Sequence, residues 1–303
     1  MVTRRQALGI LGSISAAPLL AGRDGLTSLV SSASGVVGGQ GDATPPLAPG
    51  APSSPERKAL IDSFRQRSAG IENQFEARTH KSDWTMPYRL FRPSATGRLP
   101  LVVYLHGSGG LGADNVKQMG LGNVFGTRVW ALPEHQKQFP CYVVAPQTDR
   151  RWVRYGDPSP GDSVARVVPG LGDGARVALE IIDVLRRDLP IDERRIYITG
   201  QSMGGGGVWH MTAQRPRLFA AAVICCGAPP SDDAAASVST PLWGFHGDAD
   251  ATVSVSVSRE RIAAMRKAGG HPHYTEYSGV GHNVWEWAYT EPALVRWVFA
   301  QRR

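Results

Sequence analysis

The chain has 303 residues, of which 42% are hydrophobic and 19% are charged, a composition typical of a globular protein. No apolar run reaches the roughly 20 residues that a membrane-spanning helix needs, so stable membrane insertion is not expected. The formal charge is +7, but lysine and arginine are scattered along the chain. Nucleic-acid binding requires a basic face, so no nucleic-acid partner is expected either.

Residues 1–22 have the pattern of a secretory signal. Arg4 and Arg5 precede a short apolar stretch, residues 8–20, and adjacent arginines at this place are typical of a twin-arginine signal. We therefore predict export to the periplasm or the extracellular space. Removal of Arg4 and Arg5 lowers the formal charge from +7 to about +5. The alternative is a short hydrophobic helix packed on the domain, and no clean cleavage site is visible.

Residues 23–55 consist mostly of glycine, serine, alanine and proline, with few bulky side chains. Such a segment buries too little apolar surface to offset its chain entropy, so we predict a disordered linker. A single domain, residues 56–303, is predicted to follow it.

Within this domain, short apolar runs alternate with helical patterns. Residues 71–79 and 86–91 predict an antiparallel pair of edge strands. Buried strands are predicted at 101–105, 142–145, 196–198, 220–225 and 242–245, and a last strand at 273–277. Helices are predicted at 173–189, 205–214, 258–268 and 294–299. This alternation predicts an α/β fold, with a mostly parallel central sheet and helices on both faces.

The motif Gly200-Gln-Ser202-Met203-Gly204 lies between a predicted strand and a predicted helix. A G-x-S-x-G sequence in that context turns the chain sharply, so that the serine oxygen stands clear of the sheet. Ser202 is therefore the candidate nucleophile. A serine hydroxyl is a poor nucleophile at neutral pH, so it needs a base and a group that orients the base.

The candidate acid and base follow later in the chain. Asp248 and Asp250 come directly after the predicted strand 242–245, in the kind of loop where such sheets carry their chemistry. We favour Asp250 as the orienting acid, and we expect Asp248 to accept hydrogen bonds from the loop backbone. His282 follows the last predicted strand, and glycines around it allow the imidazole to reach the site.

Two backbone N–H groups are predicted to form an oxyanion hole. One belongs to Met203, at the positive end of the helix after the nucleophile. The other belongs to Ser108, in the glycine-rich loop after the strand 101–105. Trp152 and Trp285 are predicted to shape the substrate pocket, and packing in the core is the alternative for each of them.

The three cysteines are Cys141, Cys225 and Cys226, and the first two lie in apolar runs. We expect buried, inert thiols, without a bridge between Cys225 and Cys226. The chain has no C-x-x-C and no H-E-x-x-H motif, so the sequence gives little support for a zinc site. The serine mechanism requires neither a metal nor an organic cofactor, and none is predicted.

Four segments resemble the esterase and phospholipase/carboxylesterase-like branch of the α/β hydrolases, also labelled predicted peptidases. They are residues 105–110 (LHGSGG), 200–205 (GQSMGG), 243–250 (WGFHGDAD) and 274–285 (YTEYSGVGHNVW). The resemblance extends over residues 86–303 and implies that Asp250 is the triad acid. It departs from the pattern at Ser254, where a proline commonly follows the valine. Polyester depolymerases and feruloyl or acetylxylan esterases share much of this pattern, so the resemblance does not identify the substrate.

The sequence thus predicts an exported serine hydrolase that cleaves a small or polymeric carboxylic ester. Two alternatives stay open. One is a serine peptidase acting on short peptides, which would use the same triad. The other is a non-catalytic binding protein on a hydrolase scaffold, although such proteins usually lose one member of the triad.

Overall fold

The structure, a computed structural model, describes residues 54–156, 167–229 and 234–303. The predicted signal, and the predicted linker up to residue 53, lie outside these ranges. In the described part of the chain, no helix combines the length and the apolar character that a membrane crossing requires.

Strands and short helices alternate through the described residues. The strands are β1 Phe75–Lys81, β2 Thr85–Phe91, β3 Leu99–Leu105, β4 Tyr142–Pro146, β5 Val153–Tyr155, β6 Val167–Leu171, β7 Ile191–Gln201, β8 Ala221–Cys225, β9 Leu242–Gly247 and β10 His273–Tyr277. The helices are α1 Pro55–Arg67, α2 Asn123–Arg128, α3 Pro133–Gln138, α4 Asp173–Asp188, α5 Met203–Gln214, α6 Val255–Lys267, α7 Trp285–Ala288 and α8 Leu294–Ala300.

Eight of these strands form one sheet, in the order β1-β2-β4-β3-β7-β8-β9-β10. From β4 to β10 every neighbouring pair is parallel, whereas β1–β2 and β2–β4 are antiparallel. β5 and β6 form a separate antiparallel ribbon. The mostly parallel sheet that the sequence predicts is confirmed.

Both faces of the sheet are covered. Along β3, Val102 and Tyr104 belong to one hydrophobic core, and Leu101, Val103 and Leu105 belong to the other. This alternation follows from the two-residue period of a strand. The first core includes side chains of α1 and α8, and the second includes side chains of α4, α5 and α6. The helices therefore lie on both faces, as predicted.

Some local predictions need correction. The first predicted edge strand begins four residues too early, because Ile71–Gln74 form a 3-10 turn before β1. The third buried strand is longer than predicted, since β7 begins at Ile191 and runs to Gln201. The sequence patterns did not predict α1, α2, α3, α7 or the β5–β6 ribbon. These elements are short or only weakly amphipathic.

Candidate active site

The parallel strands bring their carboxyl ends to one edge of the sheet. The segments that follow β3, β7, β9 and β10 carry the predicted site residues, and these strands belong to one run of parallel neighbours. In open α/β sheets this edge is where ligands bind.

Ser202 occupies a sharp turn between β7 and α5. Its φ is +53°, in a region that side chains rarely adopt, and its N–H donates to the carbonyl oxygen of Cys225 at 2.9 Å. The close approach of strand and helix requires a glycine at 204, because a Cβ there would overlap the Leu105 carbonyl group. The turn thus has the strained geometry typical of a nucleophile elbow.

His282 lies in the loop after β10, within reach of this serine. Its Nε2 is 2.8 Å from Ser202 Oγ, and the Cys226 thiol donates to the His282 carbonyl oxygen at 3.3 Å. The imidazole side chain is 22% exposed, and the Trp285 ring packs against it edge to face, with centroids 5.5 Å apart. The loop therefore holds the imidazole between the serine and the indole.

Asp250 lies behind the imidazole, with its side chain 0% exposed. Its Oδ2 accepts from His282 Nδ1 at 2.7 Å, and its Oδ1 accepts from the N–H groups of Thr252 and Val253 at 2.8 and 2.9 Å. Burial by itself favours the neutral carboxyl. The Val253 N–H, His282 and the Thr252 N–H outweigh burial and lower the pKa of Asp250. The carboxylate is thus held ionised against the imidazole.

Asp248, the rival carboxylate, does not take part in this hydrogen-bond chain. Its Oδ1 accepts from the Gly279 N–H at 2.6 Å and so links the loops after β9 and β10. This is the backbone-acceptor role expected of it.

A second histidine contacts Asp250, and it is absent from the site residues predicted from the sequence. His246 Nε2 lies 2.9 Å from the Val253 carbonyl oxygen and 3.3 Å from Asp250 Oδ2, while its Nδ1 lies 2.7 Å from Ser258 Oγ. Because two acceptors face Nε2, this atom carries the proton, and Nδ1 accepts from the serine hydroxyl. The sequence feature that could have identified His246 is its position at the end of a buried strand, four residues before the acid.

The glycine-rich loop after β3 is held in place from two directions. His106 is buried, with Nδ1 2.7 Å from the Gly107 carbonyl oxygen, and its Nε2 accepts from the Thr148 N–H at 3.2 Å. On the other side, Asn123 Oδ1 accepts from the Gly107 N–H at 3.0 Å and from the Tyr104 hydroxyl at 2.9 Å. The loop that carries Ser108 is therefore fixed at its base.

The two predicted oxyanion donors lie on elements that flank Ser202. Ser108 is exposed and opens the short 3-10 turn Ser108–Gly110. Met203 is the first residue of α5, so its N–H is among those that the helix itself leaves without a partner. A helix N-terminus also carries a partial positive charge that favours a nearby anion.

A small cavity of about 140 Å³ opens at Ser202 and His282. Its walls are formed by the glycine-rich loop, the start of α2 and one indole ring, namely Gly107, Ser108, Gly109, Leu121, Gly122, Asn123, Gln201 and Trp285. Trp285 therefore lies where the sequence predicts a pocket residue.

Trp152 does not line this cavity, which corrects the prediction. It is 0% exposed, and its indole N–H donates to the His106 carbonyl oxygen at 2.8 Å. The ring also packs edge to face on His106, at 4.9 Å between centroids. Trp152 thus supports the glycine-rich loop from the core side, and it fits there because Gly207 of α5 has no side chain: a Cβ at 207 would lie 2.7 Å from Trp152 Cβ.

The cysteines are buried and unbridged. Burial raises the pKa of Cys141 to about 12, and it raises the pKa values of Cys225 and Cys226 as well, so all three stay protonated at neutral pH. Among the described residues, one set of potential metal ligands clusters, and it consists of Cys226, Asp250 and His282. The carboxylate and imidazole already bond to each other there, and a metal would have to displace that bond.

The mostly parallel sheet, with a serine in a strained strand-to-helix turn, defines the α/β-hydrolase superfamily, and the chain belongs to it. The family model of the dienelactone hydrolases matches residues 165–287. No curated protein matches the chain.

Among solved structures, a thermostable esterase is 34% identical over 77% of this chain, with a TM-score of 0.70. A ferulic acid esterase from the fungus Anaeromyces mucronatus is 14% identical, with a TM-score of 0.54 and coverage of 72% of this chain and 89% of that one. An acylaminoacyl peptidase from Pyrococcus horikoshii is 16% identical, with a TM-score of 0.52 and coverage of 74% and 40%. The chain spans only 64% of the thermostable esterase. At their low identities, the other two support the fold alone.

Proposed function

We propose that the chain hydrolyses carboxylic esters through Ser202, His282 and Asp250. The observation that carries the proposal is the continuous hydrogen-bond chain from Ser202 Oγ to His282 Nε2 (2.8 Å) and from His282 Nδ1 to Asp250 Oδ2 (2.7 Å). The 34% identity to a thermostable esterase and the match to a hydrolase family support the same reaction class.

In the first half-reaction, Ser202 Oγ attacks the ester carbonyl carbon while His282 Nε2 takes its proton. Asp250 accepts from Nδ1, keeps the imidazole in the required tautomer and stabilises the imidazolium that forms. The carbonyl oxygen becomes an oxyanion, which the N–H groups of Met203 and Ser108 stabilise. Each such donor contributes about 3 kcal/mol to the transition state.

The tetrahedral intermediate then collapses. His282 gives its proton to the departing alcohol oxygen, and an acyl-enzyme ester remains on Ser202. In the second half-reaction the imidazole deprotonates a water molecule, which attacks the acyl carbon. The free acid leaves and Ser202 recovers its proton. These steps need water and the side chains named here.

The test is hydrolysis of p-nitrophenyl esters from acetate to octanoate by the domain and by Ser202→Ala. We expect turnover by the parent and a loss of several orders of magnitude in the variant. The matched control is Ser94→Ala, because Ser94 is an exposed loop residue and its loss should leave the rate unchanged. If the parent cleaves peptide p-nitroanilides but no ester, the peptidase alternative replaces this proposal. If it cleaves neither, the binding-protein alternative does.

The proposal extends to export, with residues 1–22 as a twin-arginine signal and residues 23–53 as a linker before the hydrolase domain, since α1 begins at Pro55 with Ser54 as its N-cap. Its support is the arginine pair before an apolar stretch. We expect replacement of Arg4 and Arg5 by lysine to retain the protein in the cytoplasm, as measured by cell fractionation. Equal export of the variant and the parent would contradict this.

A further inference from the structure

Leu121 is a large apolar side chain that lies in solvent at the edge of the cavity. It is 79% exposed, and within the described residues Val116, at 58%, is the other large hydrophobic side chain with such exposure. A single exposed leucine is ordinary on a protein surface. This one also borders the cavity that opens at Ser202 and His282, just before α2.

The backbone of Leu121 is strained. Its φ is +48°, in the left-handed region that glycine and asparagine tolerate and that has a cost in free energy for leucine. Packing of the side chain does not offset this cost, because most of the side chain lies in water. Strain of this kind, held without local compensation, is typical of functional sites.

Leu121 and Trp285 both line the cavity, and the turn that carries Leu121 lies against the Trp285 indole. A Cβ at Gly122 would lie 3.0 Å from Trp285 Cζ2, so the absence of a side chain at 122 lets the indole lie against this turn. Trp285 in turn packs edge to face on His282. Leu121 and Trp285 both line the cavity next to the proposed nucleophile and base, and we call these two side chains the Leu121–Trp285 wall.

The size of the cavity limits what this wall can contact. Pockets for drug-sized ligands enclose roughly 300–1,000 Å³, whereas this cavity encloses about 140 Å³. The cavity is therefore small for an organic ligand, and it suits a short acyl group such as butyryl better than a long chain such as octanoyl.

We propose that Leu121 contacts the acyl group of the substrate, and that its strained backbone is retained because it holds this contact. The substrates are then esters of short apolar acids, and the Leu121–Trp285 wall sets the preference for chain length. This inference rests on the proposed ester hydrolysis. It assigns Leu121 a role in substrate selection, without a part in the chemical step.

The test compares Leu121→Asn, Leu121→Met and Val116→Asn with the parent on p-nitrophenyl acetate, butyrate and octanoate. Asparagine tolerates the left-handed backbone but removes the apolar contact. We expect Leu121→Asn to lower kcat/KM for butyrate about tenfold, mainly through KM, while acetate changes less. Leu121→Met, which keeps an apolar side chain at this position, should retain a kcat/KM for butyrate within about twofold of the parent. Val116→Asn, which changes the other exposed apolar side chain, should leave all three rates unchanged.

The melting temperature separates this role from a structural one. If the role of Leu121 is to contact the substrate, Leu121→Asn relieves backbone strain without removing a packing contact. Tm then stays the same or rises by up to about 3 °C. An unchanged chain-length profile in Leu121→Asn, or a marked fall in Tm, overturns the inference while the parent's ester hydrolysis stands. If the parent hydrolyses no ester, the proposed function itself fails, and this inference falls with it.

Discussion

His246 Nε2 lies 3.3 Å from Asp250 Oδ2, the same carboxylate oxygen that His282 Nδ1 contacts at 2.7 Å. Burial lowers the pKa of His246, so the ring is neutral and shares one N–H between Asp250 and the Val253 carbonyl oxygen. The Val253 N–H, in turn, donates to the other oxygen of Asp250. His246 therefore orients the carboxylate both directly and through the loop after it.

Replacement of His246 by phenylalanine should lower kcat about 10- to 100-fold with little change in KM. The reason is that a hydrogen bond to a charged group is lost, which corresponds to about 1.5–3 kcal/mol. Steady-state kinetics on a short p-nitrophenyl ester provide the measurement.

His246→Gln is the matched control, since the glutamine amide reaches the position of Nε2 and keeps an N–H donor there. It should recover most of kcat. If both variants retain the parent's kcat, His246 is a packing residue only. If both variants lose activity and their Tm falls as well, the contact stabilises the fold and does not act by orienting Asp250.

Gly204→Ala should prevent folding or destabilise the protein by more than about 3 kcal/mol. An added Cβ overlaps the Leu105 carbonyl group, and both backbones are fixed at the elbow. Gly120→Ala is the control, because the nearest atom to a Cβ there is 3.9 Å away. Urea unfolding of the two variants gives the comparison, and a Gly204→Ala variant as stable as Gly120→Ala would contradict the geometry of the elbow.

Stability should fall in mild acid because of His106. Burial lowers the pKa of His106 from 6.5 to about 4, so between these values the unfolded chain binds a proton that the folded chain does not. The free energy of unfolding therefore decreases as the pH falls through this window, by up to about 3 kcal/mol. Burial lowers the pKa values of His246 and His273 as well, and both act in the same direction.

Urea unfolding at pH 7, 6, 5 and 4.5 measures this slope. His106→Gln should be less stable at pH 7 but should show a flatter dependence on pH. The surface variant His271→Gln should follow the parent. Equal slopes in the parent and in His106→Gln would exclude His106 as the source.

The buried ion pair between Arg57 and Glu291 should couple α1 to the C-terminal part of the domain. Arg57 Nη2 lies 2.8 Å from Glu291 Oε2, with side chains 7% and 1% exposed, and the Tyr277 hydroxyl donates to the same oxygen at 3.1 Å. Arg57→Met alone leaves a buried carboxylate unpaired and should cost about 3–5 kcal/mol of unfolding free energy. Arg57→Met combined with Glu291→Met should cost clearly less, as measured by urea unfolding. Additive losses would show that the two residues are independent.

Local patterns account for much of what could be predicted. Apolar runs identified five of the strands, namely β3, β4, β7, β8 and β9, because a strand buried on both faces leaves a continuous hydrophobic signature. The residues Ser202, Asp250 and His282 could be singled out because each follows a predicted strand, and parallel strands end at a common edge. Helices of six residues or fewer, such as α2 and α7, lacked a comparable signal, since their apolar stripe is too short to show a helical period.

The α/β class, the positions of the buried strands and the three residues of the proposed triad could be predicted from the amino-acid sequence, because these depend on patterns within a few residues. The packed fold was needed to show that Trp152 lies in the core, that His246 contacts Asp250 and that Leu121 stands at the edge of the cavity. Each of these depends on which segments, distant in the chain, pack together. The period of the side chains shows on which face of its own helix or strand a residue lies. It does not show which other segment of the chain covers that face.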